Sequence, residues 1–183
     1  MTLAYIVLEG NRDQETIQKL LPKHLLQDVK FVVGNGQYEV RSLASSLLAT
    51  RNTPVILILD ADTDNESQIF EKQDLVNYLL RRAAAKTPFQ VSLAIPEMEI
   101  IFLQNKPLIE KIAQRQFNDL EWQLAQSKPK EFLETVLGKE QSISERIFSN
   151  INDEQIKILQ EHPLIQEIME FLSSLTPSFV AIN

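Results

Sequence analysis

The sequence predicts an α/β fold in which a mainly parallel four-stranded sheet is followed by a C-terminal helical extension. Four short runs of residues are rich in β-branched side chains and apolar nearly throughout, which is typical of strands buried on both faces of a sheet. Segments with the apolar spacing of a helix separate these runs, and each strand–helix–strand unit predicts a right-handed crossover between parallel strands. After Pro96 only helical patterns follow.

Each predicted element follows from the spacing of its apolar residues. The predicted strands are Leu3–Leu8, Val29–Val33, Val55–Leu59 and Val91–Ile95, and the predicted helices between them are Asp13–Leu26, Tyr38–Thr50 and Ser67–Ala85. In the first of these helices, Ile17, Leu20 and Leu21 recur at the spacing that places them on one side. We therefore predict an α/β domain over residues 1–104 and a helical extension, packed on or beside it, over residues 105–183.

Acidic residues follow three of the four predicted strands, at the point where each strand ends. Ligands of an open parallel sheet bind outside the carboxyl ends of its strands, so a functional site is expected at these positions. Carboxylates that converge there repel one another unless a cation neutralises them, and a set of oxygen ligands favours Mg²⁺ or Mn²⁺. The residues concerned are Glu9 after the first strand, Asp60, Asp62 and Asp64 after the third, and Glu97 and Glu99 after the fourth.

The spacing of these acids predicts how they would meet a metal ion. In an extended segment the side chains of Asp60 and Asp62 point to the same side, so both would reach one metal site. Asp13 lies four residues after Glu9. It would therefore fall in the first turn of the following helix and supply a second pair of ligands.

Each acid, taken alone, also has a structural interpretation. Asp13 suits a helix N-terminus, and Glu97 and Glu99 resemble the acids of a first helical turn. Asp60 is different, because it ends a fully apolar strand and is followed two residues later by Asp62. That pattern favours a role in binding a metal or a phosphate.

The turn after the second predicted strand contains two glycines, in the sequence Gly34-Asn35-Gly36. These residues tolerate positive φ and suit a tight turn between strand and helix. Alternatively, their backbone amides would receive a phosphate at a helix N-terminus. The turn is not a dinucleotide-binding fingerprint, because the spacing of three glycines is absent, and the chain contains no P-loop motif.

The composition excludes several classes of protein. The absence of cysteine excludes disulfides, thiolate zinc sites, iron–sulfur clusters and a cysteine nucleophile, and it fits a reducing cytosol. The first residues show no basic leader or cleavage pattern, and no apolar run approaches the length that spans a bilayer. We therefore expect a cytoplasmic protein with no membrane partner.

The pattern of strand ends resembles the TOPRIM domain of topoisomerases, bacterial primases and OLD-family nucleases. The family's order is present over roughly residues 3–103: a strand ending in a glutamate, Glu9, then a glycine-containing turn, then the Asp-x-Asp pair, Asp60 and Asp62. The resemblance implies a Rossmann-like, three-layer TOPRIM fold and Mg²⁺-dependent phosphodiester chemistry. It also implies that Glu9, Asp60 and Asp62 are the catalytic residues that bind the metal.

Within that family, the sequence is most similar to OLD-like and stand-alone members. In these proteins an acid four residues after the glutamate and a later acid also bind metal, which implies roles for Asp13 and for Glu97 or Glu99. OLD-like nucleases also use a basic residue near the scissile phosphate. The resemblance leaves two candidates for it, Lys106 and Lys111.

The leading hypothesis is a Mg²⁺- or Mn²⁺-dependent nuclease that cleaves DNA or RNA. One alternative is a TOPRIM-like regulatory or interaction module without catalysis, which works with a separately encoded ATPase, because these 183 residues contain no ATPase module. The other alternative is a phosphatase in which Asp60 attacks phosphate and Asp62 serves as acid and base. Assembly as a homodimer is left open.

The net charge of −7 excludes a broadly basic coat for nucleic acid. Residues 1–104 carry 10 basic and 13 acidic side chains, and seven of these acids belong to the predicted site, so the rest of this segment has a balance of +4. The acidity outside the site therefore belongs to residues 105–183. We expect a metal-neutralised acidic centre and weak affinity for nucleic acid without metal. The basic residues expected to flank this centre are Arg12, Arg41, Arg81 and Arg82.

Overall fold

The computed structural model describes residues 2–175, which form an α/β fold. The strands are β1 (Ala4–Leu8), β2 (Val29–Val33), β3 (Val55–Asp60) and β4 (Phe89–Ala94), and the helices between them are α1 (Asn11–Leu20), α2 (Gln37–Arg51) and α3 (Glu66–Ala84). A 3₁₀ helix (Met98–Gln104) follows, and then the helices α4 (Lys106–Ala113), α5 (Asp119–Ser127), α6 (Pro129–Leu137), α7 (Ile143–Phe148), α8 (Asp153–Gln160) and α9 (Pro163–Leu175).

The four strands form one sheet in the order β2–β1–β3–β4, and every pair of neighbours is parallel. The predicted α/β fold with a parallel four-stranded sheet and C-terminal helices is therefore confirmed. The chain moves outward from β1 to β2 and then crosses back over β1 to reach β3. In such a sheet, the crevice for ligands lies outside the carboxyl ends of the two strands where the direction reverses. Those strands are β1 and β3.

The strand residues alternate between two hydrophobic cores, one on each face of the sheet. Ile6 and Ile58 face the core that contains α1 and the helices after β4. Val7 and Leu57 face the core formed with α2 and α3. These four side chains are at most 1% exposed, which explains why the strands are apolar nearly throughout. The result is three layers, with helices on both faces of the sheet.

The helices from residue 105 onward lie on the same face of the sheet as α1. Leu108, Leu133 and Ile168 belong to the core that also contains residues of α1. The domain boundary between residues 104 and 105 stays a prediction, and residues 176–183 of the predicted extension lie outside the described residues. Within residues 2–175, no helix combines the length and apolar character needed to cross a membrane.

Helix α1 is shorter than predicted, because proline follows its last turn. The helix ends at Leu20, and Leu21 adopts an extended conformation with φ −77° and ψ 139°. The ring of Pro22 disfavours a helical conformation at the preceding residue. Leu25 is nevertheless 6% exposed. The apolar spacing over Asp13–Leu26 thus predicts burial correctly but places the helix end wrongly.

The glycine turn after β2 depends on both of its glycines. A Cβ atom at Gly34 would lie 2.6 Å from Cγ1 of Val40 in α2, and Gly36 has a φ of +91° that disfavours other residues. The Asn35 amide donates a hydrogen bond of 2.8 Å to Oε2 of Glu39. Because this amide already donates to a carboxylate, the structure favours a tight turn, and not a phosphate-binding site, at Gly34-Asn35-Gly36.

Replacing Gly34 with Ala is expected to destabilise the fold by about 1–3 kcal/mol, because Val40 or the strand must move to accommodate the new methyl group. Chemical denaturation measures the effect as a lower midpoint at unchanged slope. Gly36→Ala is the comparison, because open space surrounds Gly36 and only its positive φ opposes the change, at about 1 kcal/mol. A Gly34→Ala variant as stable as the wild type would contradict the close approach of β2 to α2.

Candidate metal centre

The candidate site lies at the carboxyl ends of β1 and β3. Glu9 follows the last residue of β1, and Asp60 is the last residue of β3. These two strands are adjacent and parallel, so both residues come to the same edge of the sheet. The reversal of strand order leaves this edge open between the two helical layers.

Glu9 is half-buried, and its Oε1 atom is buried without a hydrogen-bond partner among the described residues. Burial raises the pKa of Glu9, and the negative charges of Asp62 and Asp13 raise it further. The Asp60 backbone amide and the Lys72 ammonium act in the opposite direction. A buried carboxylate oxygen without a partner is destabilising unless a proton or a cation joins it.

Asp60 is the most strongly perturbed acid at this edge. Burial, together with the charges of Asp13, Glu99 and Glu9, raises the pKa of Asp60 to about 8. The backbone amide of Met98 donates a hydrogen bond of 2.9 Å to Oδ1 of Asp60 and partly opposes these effects. The pKa of Asp60 is therefore raised by carboxylates from three other segments of the chain.

Asp13 in the first turn of α1 and Glu99 in the 3₁₀ helix complete this group. Burial raises the pKa of both carboxyls, and the Lys130 ammonium lowers both. The Asp13 charge also raises the pKa of Glu99. We call Glu9, Asp13, Asp60 and Glu99 the acidic cluster. A cation placed among these four residues would relieve the repulsion between them.

Asp62 differs from the expectation of an extended segment. Its φ is +58°, and its amide donates a hydrogen bond of 2.8 Å to the Pro96 carbonyl oxygen. The chain therefore turns directly after β3, and the expected geometry with Asp60 and Asp62 on one side of a strand is wrong. The exposed carboxylate of Asp62 accepts a hydrogen bond from the Gln37 side chain and pairs with the Lys72 ammonium at 3.3 Å.

Sequence reasoning missed the two cations at this edge. Lys72 of α3 donates hydrogen bonds of 2.6 and 3.1 Å to the carbonyl oxygens of Asp60 and Ala61, and Lys130 at the start of α6 faces Asp13 and Glu99. Lys72 lies in the second turn of the helix that follows the Asp-x-Asp pair, so the sequence could have predicted that it lies near these acids. No sequence signal places α6 beside the sheet.

The two lysines suggested by the family resemblance lie elsewhere. Lys106 of α4 lies 4.0 Å from the carboxylates of Glu110 and Asp119 and 5.7 Å from the centroid of the Trp122 ring. Lys111 is exposed on the same helix. Neither is among the main causes of the raised pKa values in the acidic cluster.

The structure separates Glu97 from Glu99, between which the sequence left a choice. Oε1 of Glu97 accepts a hydrogen bond of 2.8 Å from the backbone amide of Lys130, in the first turn of α6. Glu97 thus stabilises a helix N-terminus, while Glu99 lies near Asp13 and Asp60 in the acidic cluster. Asp64 is exposed in the loop before α3.

A cleft of about 600 Å³ opens beside the acidic cluster. Its lining includes Asp13 and Glu99 together with the basic residues Arg12 and Lys130. Arg12 therefore flanks the site as predicted, whereas Arg41 and Arg82 line a separate groove between α2 and α3.

The donor chemistry of the acidic cluster fits a hard divalent cation. All of its side chains offer carboxylate oxygens, and Glu9 Oε1 has no hydrogen-bond partner within residues 2–175. The arrangement is not preformed, because no group of three or more His, Asp or Glu side chains within residues 2–175 already stands in a metal-binding geometry. The side chains must rotate to bind an ion.

No protein-family model matches the sequence, and no curated relative matches it either. Three solved structures of the C-terminal region of the OLD protein of Xanthomonas campestris pv. campestris are similar in structure. The mercury-phased one is 11% identical with a TM-score of 0.43, over 95% of this chain and 98% of that one. The iodine-phased one is 12% identical with a TM-score of 0.41, over 95% and 98%. The platinum-phased one is 12% identical with a TM-score of 0.40, over 94% and 96%. The structural neighbours of this chain thus include the C-terminal region of an OLD protein.

Proposed function

We propose that the chain is a Mg²⁺-dependent nuclease that hydrolyses phosphodiester bonds of DNA or RNA, with Mn²⁺ as an alternative ion. The observation that carries this proposal is the acidic cluster at the reversal point of the sheet. There, Glu9 Oε1 has no hydrogen-bond partner in the described part of the chain, and burial among other carboxylates raises the pKa of Asp60 to about 8. Such a site binds a cation in preference to remaining charged and empty.

The position of each acidic residue determines which of two metal ions it would bind. Glu9 and Asp60 would hold one ion between the ends of β1 and β3, and Asp13 and Glu99 would hold a second. Asp62 would bind an ion only after its contacts with Lys72 and Gln37 break. When bound, such ions activate a water molecule and stabilise the leaving oxygen of a phosphodiester.

Two cations of the protein would attract the substrate phosphate. Lys130 faces Asp13 and Glu99, and Arg12 lines the same cleft. Their positive charge attracts the phosphate backbone towards the acidic cluster. We therefore propose Lys130, in place of Lys106 or Lys111, as the basic residue near the scissile phosphate.

A second candidate function is the non-catalytic module that works with a separate ATPase. One observation favours it: Asp62 is held by Lys72 and Gln37, and no preformed group of ligands is present within residues 2–175. No observation favours the phosphatase, which would use Asp60 and Asp62 but leave Glu9, Asp13 and Glu99 without a role.

Cleavage of end-labelled DNA and RNA by the wild-type chain, with Mg²⁺, with Mn²⁺ and with EDTA, tests the proposal. We expect cleavage of at least one polymer that requires the ion. Binding of Mg²⁺ is followed separately by calorimetry. Ion binding without cleavage of either polymer would favour the non-catalytic module, and the absence of both would contradict the metal centre itself.

A further inference from the structure

A groove of about 700 Å³ runs between α2 and α3, on the face of the sheet opposite α1. Its walls include Tyr38, Arg41, Ser42 and Ser45 from α2 and Leu79 and Arg82 from α3. No acidic side chain from residues 2–175 lines it. We call it the α2–α3 groove.

The two arginines of the groove are not neutralised by any carboxylate in the described part of the chain. Nε of Arg41 donates a hydrogen bond of 3.0 Å to the Gln37 carbonyl oxygen, and the Arg82 guanidinium lies 5.8 Å from the centroid of the Tyr78 ring. Neither forms an ion pair with a carboxylate among residues 2–175. Their charge is therefore available to an anion.

Aromatic rings stand beside these arginines. Tyr38 is 83% exposed and Tyr78 is 56% exposed, although both are large side chains. Exposed aromatic rings next to free arginines are the composition of surfaces that bind single strands, where bases stack on the rings and the basic groups track the phosphates.

The groove begins beside the candidate metal centre. Gln37, which holds Arg41, also donates a hydrogen bond of 3.2 Å to the Asp60 carbonyl oxygen. From Tyr38 to Ser45, α2 rises about 10 Å at ~1.5 Å per residue. That length matches about three stacked nucleotides at ~3.4 Å each.

We propose that the α2–α3 groove binds a single-stranded segment of nucleic acid, with a base stacked on Tyr38 and phosphates paired with Arg41 and Arg82. This inference rests on the proposed function and specifies its substrate as a strand with unpaired bases. A duplex offers the same phosphates, but its bases are stacked inside and cannot reach Tyr38.

Fluorescence anisotropy of a labelled oligothymidylate of about 15 nucleotides, a typical single-strand site size, tests the groove with the full chain. Binding is measured at low salt with Ca²⁺ in place of Mg²⁺ and with EDTA, beside a matched duplex. We expect Tyr38→Ala to weaken single-strand binding by about tenfold. The double variant Arg41→Ala/Arg82→Ala should make the slope of log K against log salt shallower by about 1.4, at ~0.7 per phosphate contact.

Two matched variants serve as controls. Phe70 is 75% exposed on α3 outside the groove lining, and Arg51 is exposed in the last turn of α2. Phe70→Ala and Arg51→Ala should bind the strand as the wild type does. Equal weakening by the controls and the groove variants would overturn the proposal, as would duplex binding as tight as single-strand binding.

Other outcomes separate the groove from the nuclease proposal. If the chain binds the strand through Tyr38 but cuts no polymer with Mg²⁺, the groove proposal stands and the nuclease proposal is overturned. If the wild type cuts and the Tyr38→Ala variant binds and cuts equally well, the groove proposal is overturned and the nuclease proposal stands. Light scattering that shows a dimer broken by Tyr38→Ala would make the groove an interface between copies and overturn its role in strand binding.

Discussion

A Glu9→Gln substitution is expected to lower the rate of Mg²⁺-dependent cleavage by at least about 1000-fold, which corresponds to about 4 kcal/mol of lost transition-state stabilisation. Glutamine has the shape of glutamate without its charge. Because Oε1 of Glu9 has no hydrogen-bond partner among the described residues, the substitution removes a proposed metal ligand while breaking no contact of that atom. Initial rates on an end-labelled strand, with wild type and variant at equal concentrations, measure the effect.

The matched control is Glu167→Gln, an exposed glutamate of α9, which should cut at the wild-type rate. Circular dichroism of both variants checks that the fold is intact. If Glu9→Gln retains activity within about tenfold of the wild type, or about 1.4 kcal/mol, Glu9 is not a ligand of a catalytic ion.

An Asp60→Asn substitution is expected to stabilise the metal-free protein at pH 8 by roughly 2–4 kcal/mol. In the folded protein, burial and the neighbouring acids raise the pKa of Asp60 from its ordinary 3.8 to about 8. Between these two pH values the folded state holds a proton that the unfolded chain has lost, so the stability of the wild type falls as pH rises. Asparagine has no charge to develop, and its Oδ1 can still accept the Met98 amide hydrogen bond.

Urea denaturation from pH 4 to pH 9 in EDTA measures this difference. The gain from Asp60→Asn should be near zero at pH 4 and reach its full value near pH 8. Adding Mg²⁺ should raise the stability of the wild type more than that of the variant. The control is Asp74→Asn, at an exposed position on α3; this variant keeps Asp60, so its stability should fall with rising pH as that of the wild type does. A wild type whose stability does not fall across this range would contradict the raised pKa of Asp60.

Most of the fold could be predicted because local patterns report burial directly. A strand buried on both faces must be apolar at successive positions, and each strand of the α/β unit shows this in its own residues. The end of α1 was harder to place, because apolar residues continue past Pro22 and remain buried in a turn. Apolar spacing therefore identified what is buried, and the proline determined where the helix stops.

The candidate site was predictable only in part. Glu9 directly follows β1 and Asp60 is the last residue of β3, so the pairing of these two parallel strands brings the acids together. Asp62 could not be placed, because its left-handed backbone conformation depends on a hydrogen bond to the segment after β4. Lys72 and Lys130 approach from different helices, and their contacts depend on how α3 and α6 pack.

Carboxylates collect at one edge of the parallel sheet because acidic residues follow its apolar strands, and this pattern is visible in the sequence alone. Which of these carboxylates lie near one another depends on how the helices pack. Glu99 belongs to the acidic cluster, Glu97 accepts a hydrogen bond at the N-terminus of α6, and Asp62 pairs with Lys72. Burial, repulsion and hydrogen bonding at this edge arise between segments far apart in the chain, so local sequence patterns do not specify them.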